Sequence, residues 1–364
     1  MLLSIISPTY NEAKNIRPFI LAIKASLRDF KDYEIIFVDD NSLDKTHEVV
    51  KSISKKYKNV RCIRRIGRRG LSSAVIEGCL SSSADFLLIM DADLQHDQKK
   101  IPEMIKLQKK YALDMVIGSR FLNKKSSTGL SRKRNLVSKL ANFLANKISG
   151  VQLSDPMSGF FLIKRSLMEQ QAINLTGLGF KILLDIMSSA KNKIHYKEIE
   201  FNFQPRKYGE SKLSTLVVWE YLLLLWETRF GKLIPARFVS FCLIGGTGMV
   251  NHVLILYFLI SMKLEFLLAQ SIATFFAMTG NFFLNNILTY RDRQKKGWLA
   301  FKALIIFYIT CGLGAVANVG IANSLYTGKV SEVSLTWYLS GIVGALVGAV
   351  WNFLMSTLIT WKQK

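Results

Sequence analysis

The sequence contains few cysteines, histidines and prolines. Its 364 residues include four cysteines, four histidines and six prolines. No two cysteines form a close pair, and Cys242 and Cys311 fall in long apolar segments. This distribution argues against a disulfide framework and against a zinc site built on paired cysteines. We therefore expect reduced, structural thiols.

Charged residues are scarce in the last third of the chain. Seven basic and three acidic residues lie between positions 238 and 361, whereas the first 237 residues carry 40 basic and 23 acidic ones. Each of four apolar segments here exceeds the roughly 20 residues that a helix needs to cross the hydrocarbon core. They run from 238 to 261, 266 to 290, 301 to 326 and 335 to 361. A soluble-type domain followed by four transmembrane helices is predicted.

Basic residues flank these segments unevenly. Only Lys263 and Lys329 lie at one set of ends, whereas ten basic residues lie at the other: Arg229, Lys232, Arg237, Arg291, Arg293, Lys295, Lys296, Lys302, Lys362 and Lys364. The positive-inside rule places the N-terminal domain and both termini in the cytoplasm, with the spans in the cell membrane. The opening apolar run, residues 2 to 7, is too short for a signal peptide.

The segment that joins the two halves is both apolar and charged. Residues 213 to 230 are rich in leucine and contain two tryptophans and a tyrosine beside two glutamates and an arginine. This composition predicts an amphipathic helix in the membrane interface, and a helix buried in the soluble core is the alternative. The predicted domains are therefore residues 1–212, an interfacial helix and linker over 213–235, and a membrane domain over 236–364.

The membrane half contains a weak internal repeat. Gly245 and Asn251 in the first span are spaced like Gly312 and Asn318 in the third. Likewise, the Asn-Phe-Phe-Leu sequence that starts at residue 281 is similar to Asn-Phe-Leu-Met starting at 352. Small residues and amides favour close packing of two similar helical hairpins. Transport through the spans is the alternative interpretation.

The first 120 residues alternate strand-like and helix-like patterns. The predicted strands are 2–7, 34–38, 60–64, 86–90 and 115–118, and the predicted helices are 13–28, 45–56, 71–81 and 101–110. This order predicts an α/β domain with a doubly wound parallel sheet. Ligands of such sheets bind at the carboxyl ends of the strands.

Polar residues follow three of these strands. Asp91 and Asp93 follow the fourth strand, and alternate residues of an extended segment point the same way, so both carboxylates can bind one hard cation that also holds a substrate diphosphate. A solvated acidic turn is the alternative. Tyr10 can stack on a ring, and Asp40 can accept hydrogen bonds from a base or ribose. Turn formation or helix capping is the preferred role for Asn41, Ser42 and Asp44.

The excess of basic residues in the first 237 positions restricts the class of partner. It suits anionic ligands and an anionic membrane surface. Nucleic acid is a competing partner, but no nucleic-acid-binding motif accompanies the charge, so none is predicted.

Eight short motifs occur in a fixed order in the first 213 residues. They are PTYNE at 8–12, DDNSLDKT at 39–46, GLSSAVIEG at 70–78, DADLQH at 91–96, GSRF at 118–121, DPMSGFF at 155–161, GFKIL at 179–183 and RKYGESKL at 206–213. In this order they resemble family 2 glycosyltransferases of the GT-A fold, in particular the polyprenyl-phosphate glycosyltransferases and, among them, the dolichol-phosphate mannose synthases. The membrane half is similar to the GtrA-like four-helix domain fused to some members, most clearly in NFFLNNILTYRD at 281–292.

The resemblance implies a role for each matching residue. The donor would be bound by Pro8, Tyr10, Glu12, Val38, Asp40, Asp91, Ala92, Asp93, Arg120, Lys181, Arg206 and Lys212. Mg²⁺ or Mn²⁺ would be bound by Asp91, Asp93 and Gln95. The acceptor phosphate would be bound by Arg120, Arg134 and Ser138, and the catalytic residues would be Asp93, Arg120 and Arg134.

A lipid monophosphate acceptor changes what the site must provide. A sugar hydroxyl normally needs a carboxylate base, whereas a lipid phosphate is already anionic at neutral pH. It needs positive charge to lie beside a second anion, and arginine and lysine supply this charge. Asp185 is therefore interpreted as structural. Processive relatives that act on hydroxyls carry Gln-x-x-Arg-Trp, and no tryptophan in this chain follows an arginine.

The implied activity is inverting transfer of mannose from GDP-mannose to dolichyl or another polyprenyl phosphate at the cytoplasmic membrane face. The metal would neutralise the departing nucleoside diphosphate. UDP-glucose is an alternative donor, and a membrane half that also flips the glycolipid is an alternative role. The lack of charged residues within the spans argues against a polar pathway.

Overall fold

The computed structural model describes residues 3–122, 132–175, 181–190, 192–206, 215–326 and 336–362. The chain divides into two compact units, Met1–Lys232 and Leu233–Lys364.

Strands and helices alternate along the first unit. Its elements are β1 (Leu3–Thr9), α1 (Ala13–Ser26), β2 (Tyr33–Asp39), α2 (Thr46–Ser54), β3 (Val60–Arg64), α3 (Leu71–Leu80), β4 (Phe86–Ile89), α4 (Ile101–Tyr111), β5 (Met115–Ser119), α5 (Arg132–Ser149), β6 (Phe161–Lys164), α6 (Arg165–Ala172), α7 (Ile182–Ser189), β7 (Tyr196–Glu200) and α8 (Thr215–Phe230). All nine elements predicted in the first 120 residues are confirmed, with ends shifted by at most two residues.

The sheet is mixed, which corrects the prediction of a parallel sheet. Its strand order is β3-β2-β1-β4-β6-β5-β7, and β6 is antiparallel to both β4 and β5. The other pairings are parallel. The short strand β6 lies beyond the first 120 residues and separates β4 from β5, so the alternation of elements in that region gave no sign of it.

Two hydrophobic cores cover the two faces of the sheet. Successive side chains of a strand point to opposite faces, so Ile5 and Ile6 belong to different cores, as do Phe37 and Val38. The strands are apolar on both sides because helices cover both faces, as is usual for parallel strands of α/β proteins. Rigid strands therefore support the polar residues that follow them.

Helix α8 packs on the first unit with one side and exposes apolar residues on the other. Leu224 and Leu225 are buried with Leu184 of α7, and the Tyr221 hydroxyl donates to the carbonyl oxygen of Ala141 in α5 at 2.5 Å. On another part of its surface, Leu222 is 50% exposed. The helix therefore joins the core of the first unit in part, and its interfacial position remains a prediction.

The second unit contains four long helices. They are α9 (Ala236–Ser261), α10 (Phe266–Leu284), α11 (Trp298–Tyr326) and α12 (Trp337–Met355), and a π-helical turn follows both α10 (Asn285–Thr289) and α12 (Ser356–Thr360). Four helices in the described part of this unit are long and apolar enough to cross a membrane. The four predicted spans are confirmed.

The internal repeat is visible in the packing of the second unit. A Cβ atom on Gly248 would collide with Asn281, and one on Gly314 would collide with Asn352. Asn281 and Asn352 therefore pack closely against glycines, as the packing interpretation predicts. The glycines at these contacts are not the predicted pair, because Gly245 and Gly312 face open space.

Candidate active site

The ends of three neighbouring strands form one edge of the sheet. Strand β1 lies between β2 and β4, with Thr9 opposite Asp39 and Ile6 opposite Ile89. This register places the residues that follow the three strands, including Asp40 and Asp91, along the same edge. The polar residues predicted to follow three strands therefore lie along one edge of the sheet.

Hydrogen bonds hold the turn that contains Asp91 and Asp93. The backbone N–H of Gln95 donates to Oδ1 of Asp93 at 3.1 Å. Gln95 also exchanges two hydrogen bonds with Gln204, from its Nε2 to the Gln204 carbonyl at 3.0 Å and from the Gln204 N–H to its own carbonyl at 2.9 Å. The segment after β7 is thereby joined to the turn.

The segment after β7 also brings Arg206 to Asp93. Its Nη2 donates to Oδ2 of Asp93 at 2.6 Å, and its Nη1 lies 3.9 Å from Oε1 of Glu12. Asp93 and Glu12 are each at most 8% exposed. Residues predicted from three separate motifs thus meet at one point.

Opposing charges act on Asp91. Burial raises the pKa of Asp91; His96 opposes this shift, Asp93 adds to it, and Lys181 and Arg206 oppose it. The Asp91 side chain is nevertheless 35% exposed, so water can reach it. Two carboxylates close enough to repel each other, with cations beside them, suit a ligand that contains both a metal ion and phosphate.

The residue types present fit Mg²⁺ or Mn²⁺ held jointly with a substrate. Among the described residues, no group of three His, Cys, Asp or Glu side chains forms a metal cluster. The predicted set has two such residues, Asp91 and Asp93, and the amide of Gln95. Magnesium is commonly bound by one or two carboxylates and completed by substrate phosphates, so this donor set is appropriate.

His96 fixes the backbone of Asp91, a role that sequence reasoning missed. Its Nδ1 accepts a hydrogen bond from the Asp91 N–H at 3.2 Å, and its Nε2 lies 3.9 Å from Oδ2 of Asp91. The ring is 4% exposed, stacks on Phe160 at 5.3 Å and meets the edge of Phe201 at 5.6 Å. His96 belongs to the DADLQH motif, which was the available signal.

Asp40 belongs to a buried charge network. Its Oδ1 accepts from Arg65 at 2.8 Å and its Oδ2 accepts from the Gly70 N–H at 2.8 Å. Burial raises the pKa of Asp40, while the hydrogen bond from Gly70 and the charge of Arg65 oppose the shift. Arg65, 2% exposed, was not predicted. Its position before the GLSSAVIEG motif offered only a weak signal.

The predicted stacking residue Tyr10 lies beside a cation. The Arg69 guanidinium lies 4.4 Å from the centre of the Tyr10 ring and donates to its hydroxyl at 2.8 Å. Attraction between the guanidinium and the ring keeps these two side chains together.

Two predicted donor-binding residues point into the hydrophobic cores. The Val38 side chain is fully buried, and Ala92 is 2% exposed. Any contact that either makes with a donor must therefore use its backbone. Pro8, in β1, is half-buried.

Arg120 is fixed by a partner that sequence reasoning did not assign. Its Nε and Nη2 donate to the two oxygens of the fully buried Asp155 at 2.7 and 2.8 Å. Burial alone would lower the pKa of Arg120, but the Asp155 carboxylate outweighs it, and Asp91 adds to the upward shift. The guanidinium is thus permanently charged and close enough to Asp91 to affect it.

Several predicted residues cannot be placed fully. Arg134 and Ser138 belong to α5, and their side chains lie outside the described residues; Lys212 lies wholly outside them. Lys181 immediately precedes α7. Asp185 is fully buried within α7, which agrees with a structural role.

The turn after β2 caps two helices, as predicted. Oδ2 of Asp44 accepts from the N–H of Ala13 at the start of α1, and its Oδ1 accepts from the N–H of Thr46 at the start of α2. The Ser42 N–H donates to Asp39 at 2.9 Å.

Two family models match the chain. That of glycosyl transferase family 2 matches residues 4–171, and that of the GtrA/DPMS transmembrane domain matches residues 240–361. The predicted α/β GT-A domain followed by four membrane helices is thus confirmed.

Three relatives carry one name. The dolichol-phosphate mannosyltransferase of Pyrococcus furiosus is 32% identical, with 99% of each chain covered. Those of Mycosarcoma maydis and Saccharomyces cerevisiae are 34% and 33% identical over 66% and 65% of this chain, and over 84% and 92% of their own lengths. The chain therefore belongs to glycosyltransferase family 2, with a GtrA/DPMS transmembrane domain in its second half.

Proposed function

We propose that this membrane glycosyltransferase moves mannose from GDP-mannose to dolichyl or another polyprenyl phosphate, with inversion. The observation that carries the proposal is the meeting of Asp91 and Asp93 with Arg206 and Lys181 at the strand ends. Such a site suits two anionic substrates, a nucleoside diphosphate that departs and a phosphate that attacks. The relatives named for mannosyl transfer to dolichol phosphate support this choice of sugar and acceptor.

The protein's own residues would bind and orient these substrates. Asp91, Asp93 and Gln95 would hold Mg²⁺ or Mn²⁺, which neutralises the charge that develops on the leaving diphosphate. Arg206, with Lys212, would bind the donor phosphates. A phosphate oxygen of the acceptor then forms a bond to the anomeric carbon as the bond to GDP breaks. No base is needed, because this phosphate is already ionised.

The other predicted residues would act around this centre. Arg120, Arg134 and Ser138 would bind the acceptor phosphate, and Lys181 would add positive charge. Tyr10, Glu12 and Asp40 would hold the nucleoside, with Pro8 and the backbones of Val38 and Ala92 beside it. Arginine suits these positions because its planar group binds phosphate through two hydrogen bonds.

A donor and acceptor screen tests the proposal. Purified full-length protein with Mg²⁺ or Mn²⁺ is given GDP-mannose or UDP-glucose, with either polyprenyl phosphate or a free saccharide. We expect mannose on the lipid phosphate and no turnover without a divalent ion. Turnover with UDP-glucose alone would replace the proposed donor, and turnover with saccharide acceptors alone would refute the acceptor.

The proposed arrangement has residues 1–212 as the catalytic domain, 213–235 at the interface and 236–364 in the cell membrane, with the catalytic domain and both termini in the cytoplasm. Its support is the basic flanks of the spans and the exposed apolar surface of α8. We expect a chain that ends at Lys232 to bind nucleotide and to use a short-chain, detergent-soluble acceptor. Inactivity of a folded, nucleotide-binding fragment would mean that the membrane half shapes the acceptor site.

A further inference from the structure

Arg65 is a buried arginine directly after β3. Its N–H donates to the carbonyl oxygen of Asp39 at 2.8 Å, which continues the pairing of β3 with β2 beyond the last residue of β3. The residue is 2% exposed. Burying a charge is costly unless charged or polar groups compensate it, so the partners of this side chain indicate its role.

The guanidinium of Arg65 binds Asp40 and Gly70 together. Its Nη1 donates to Oδ1 of Asp40 at 2.8 Å and to the Gly70 carbonyl oxygen at 3.0 Å, while the Gly70 N–H donates to Oδ2 of Asp40 at 2.8 Å. These contacts form a closed ring, so a rotation of the Asp40 carboxylate would break at least one of them. Burial raises the pKa of Asp40, and the Gly70 hydrogen bond and the charge of Arg65 oppose this rise.

Helix α3 holds the other side of the guanidinium. Nη2 of Arg65 donates to Oγ of Ser73 at 2.7 Å, and its Nε lies 3.2 Å from Oε2 of Glu77. Two carboxylates, those of Asp40 and Glu77, therefore flank one buried cation. Because the guanidinium is planar, contacts on opposite sides fix its orientation as well as its position.

The loop that joins Arg65 to Gly70 carries Arg69 to Tyr10. The contact between Arg69 and the Tyr10 hydroxyl is 2.8 Å long, one residue before Gly70. Gly70 has a φ of +143°, and a Cβ atom on it would lie 3.1 Å from Oγ of Ser73. Such a backbone conformation favours glycine, so this residue can donate to Asp40 without strain. Arg65 is thus connected to Asp40 directly and to Tyr10 through the loop.

We propose that Arg65 is a positioning residue for the nucleoside end of the donor site and that it acts by orienting the Asp40 carboxylate. The inference rests on the proposed function, in which Asp40 and Tyr10 hold the nucleoside. The Arg65 side chain is 2% exposed and the Asp40 side chain 10%, so the aspartate reaches the surface and the arginine acts through it. Each carboxylate oxygen has two lone pairs, so Asp40 can accept from a ligand while it remains bonded to Arg65 and Gly70.

Calorimetry on the full-length protein separates this role from a general loss of stability. Binding of GDP, UDP and inorganic pyrophosphate is measured with Mn²⁺, and the difference between a nucleotide and pyrophosphate reports the nucleoside. In Arg65→Met we expect the affinity for the better nucleotide to fall about tenfold, the effect of one good hydrogen bond, and that for pyrophosphate to stay within about twofold. Wild-type nucleotide affinity in a folded variant, or an equal loss for pyrophosphate, overturns the proposal.

Three further variants assign the effect. In an Asp40→Asn background, Arg65→Met should cause no further loss of nucleotide affinity, and a further tenfold loss would mean that the arginine does not act through Asp40. Arg65→Lys keeps the charge without the planar group that reaches Asp40 and Gly70 together, so we expect a loss of about threefold to tenfold. If Arg65→Met does not fold, wild-type nucleotide affinity in Arg65→Lys overturns the proposal. The control is Arg61→Met, which removes the ion pair with Glu34 near the other end of β2 and should retain nucleotide affinity. An equal loss in this control would overturn the assignment.

The wild-type measurements separate this inference from the proposed donor. A preference for UDP would replace GDP-mannose as the donor, and the variants would then be compared with UDP. Pyrophosphate binding as tight as that of both nucleotides would mean that no nucleoside is recognised, and would overturn the donor and the role of Arg65 together.

Discussion

The two units bury polar side chains in different ways. The first unit pairs opposite charges at 2.6 to 2.8 Å, as in Arg206 with Asp93 and Arg65 with Asp40. The second unit places neutral amides against glycines, as in Asn281 with Gly248. Charged pairs are tolerable where water and ionic ligands reach the strand ends, whereas the spans must avoid them. The surrounding medium thus decides which polar residues each unit can use.

The units also differ in whether their polar contacts are repeated. Each charged contact at the strand ends occurs once, because the three strand ends carry different motifs. The contact between asparagine and glycine occurs twice, in Gly248 with Asn281 and Gly314 with Asn352. Substitutions should therefore have local, unequal effects on the first unit and matched effects on the second.

The largest effect should come from Asp93→Asn. The substitution removes a negative charge from the proposed metal site and leaves Arg206 without its charged partner. We therefore expect kcat to fall by at least about 10²-fold. The thermal midpoint should also fall, because Asp93 is buried and Arg206 loses its charged partner. Steady-state kinetics and thermal unfolding measure both, with Asp114→Asn, which lies just before the amino end of β5, as a control. Near-normal activity would remove Asp93 from the site.

His96→Phe should have the next largest effect. The ring can still stack on Phe160, but the Asp91 N–H loses its acceptor, and Asp91 is then less firmly positioned. We expect the affinity for Mn²⁺ in the presence of GDP, measured by electron paramagnetic resonance, to fall by about tenfold, the equivalent of one buried hydrogen bond. Unchanged Mn²⁺ affinity would show that the histidine only fills space.

Four alanine variants test the repeat. Gly248→Ala and Gly314→Ala should each destabilise the second unit by about 1 to 3 kcal/mol, because the new methyl group overlaps an asparagine. Gly246→Ala and Gly312→Ala, which face open space, are controls and should shift stability by less than about 0.5 kcal/mol. Thermal unfolding in detergent measures all four. Clearly unequal losses for Gly248 and Gly314 would break the proposed equivalence of the repeats.

Asp114→Asn should have the smallest effect. Burial would raise the pKa of Asp114, but the hydrogen bond from Lys164 at 2.8 Å and that from the His195 N–H lower it overall. A lowered pKa stabilises the fold above the unfolded value and loses this effect as pH falls through the folded value. We expect a loss below about 1 kcal/mol at pH 7 that vanishes in acid. The thermal midpoints of the wild type and the variant, measured at pH 7 and in acid, test this expectation. A loss of stability that does not depend on pH would contradict the lowered pKa of Asp114.

The sequence predicted the first unit well where the signals are local. Apolar periodicity gave the strands and helices of the first 120 residues, and the polar residues that follow three of these strands do lie along one edge of the sheet. The antiparallel strand β6 and the partners Arg65 and Asp155 were missed because they depend on residues brought together from distant segments. His96 lies only five residues from Asp91, but the motif alone gives no sign of its hydrogen bond to the Asp91 backbone. Val38 and Ala92 were assigned from the family resemblance alone, and only the folded chain reveals that their side chains face the cores.

The two π-helical turns determine how the hairpins are joined. A π-helical turn contains an extra residue, which rotates every later side chain by about 100° around the helix axis. The turns end directly before Tyr290 and Trp361, whose rings stack face to face at 4.3 Å. Without the extra residues these rings would point away from each other. Each turn therefore sets the direction of the aromatic ring that follows it. The two stacked rings then join one hairpin to the other, and a rotation of either hairpin alone would separate them.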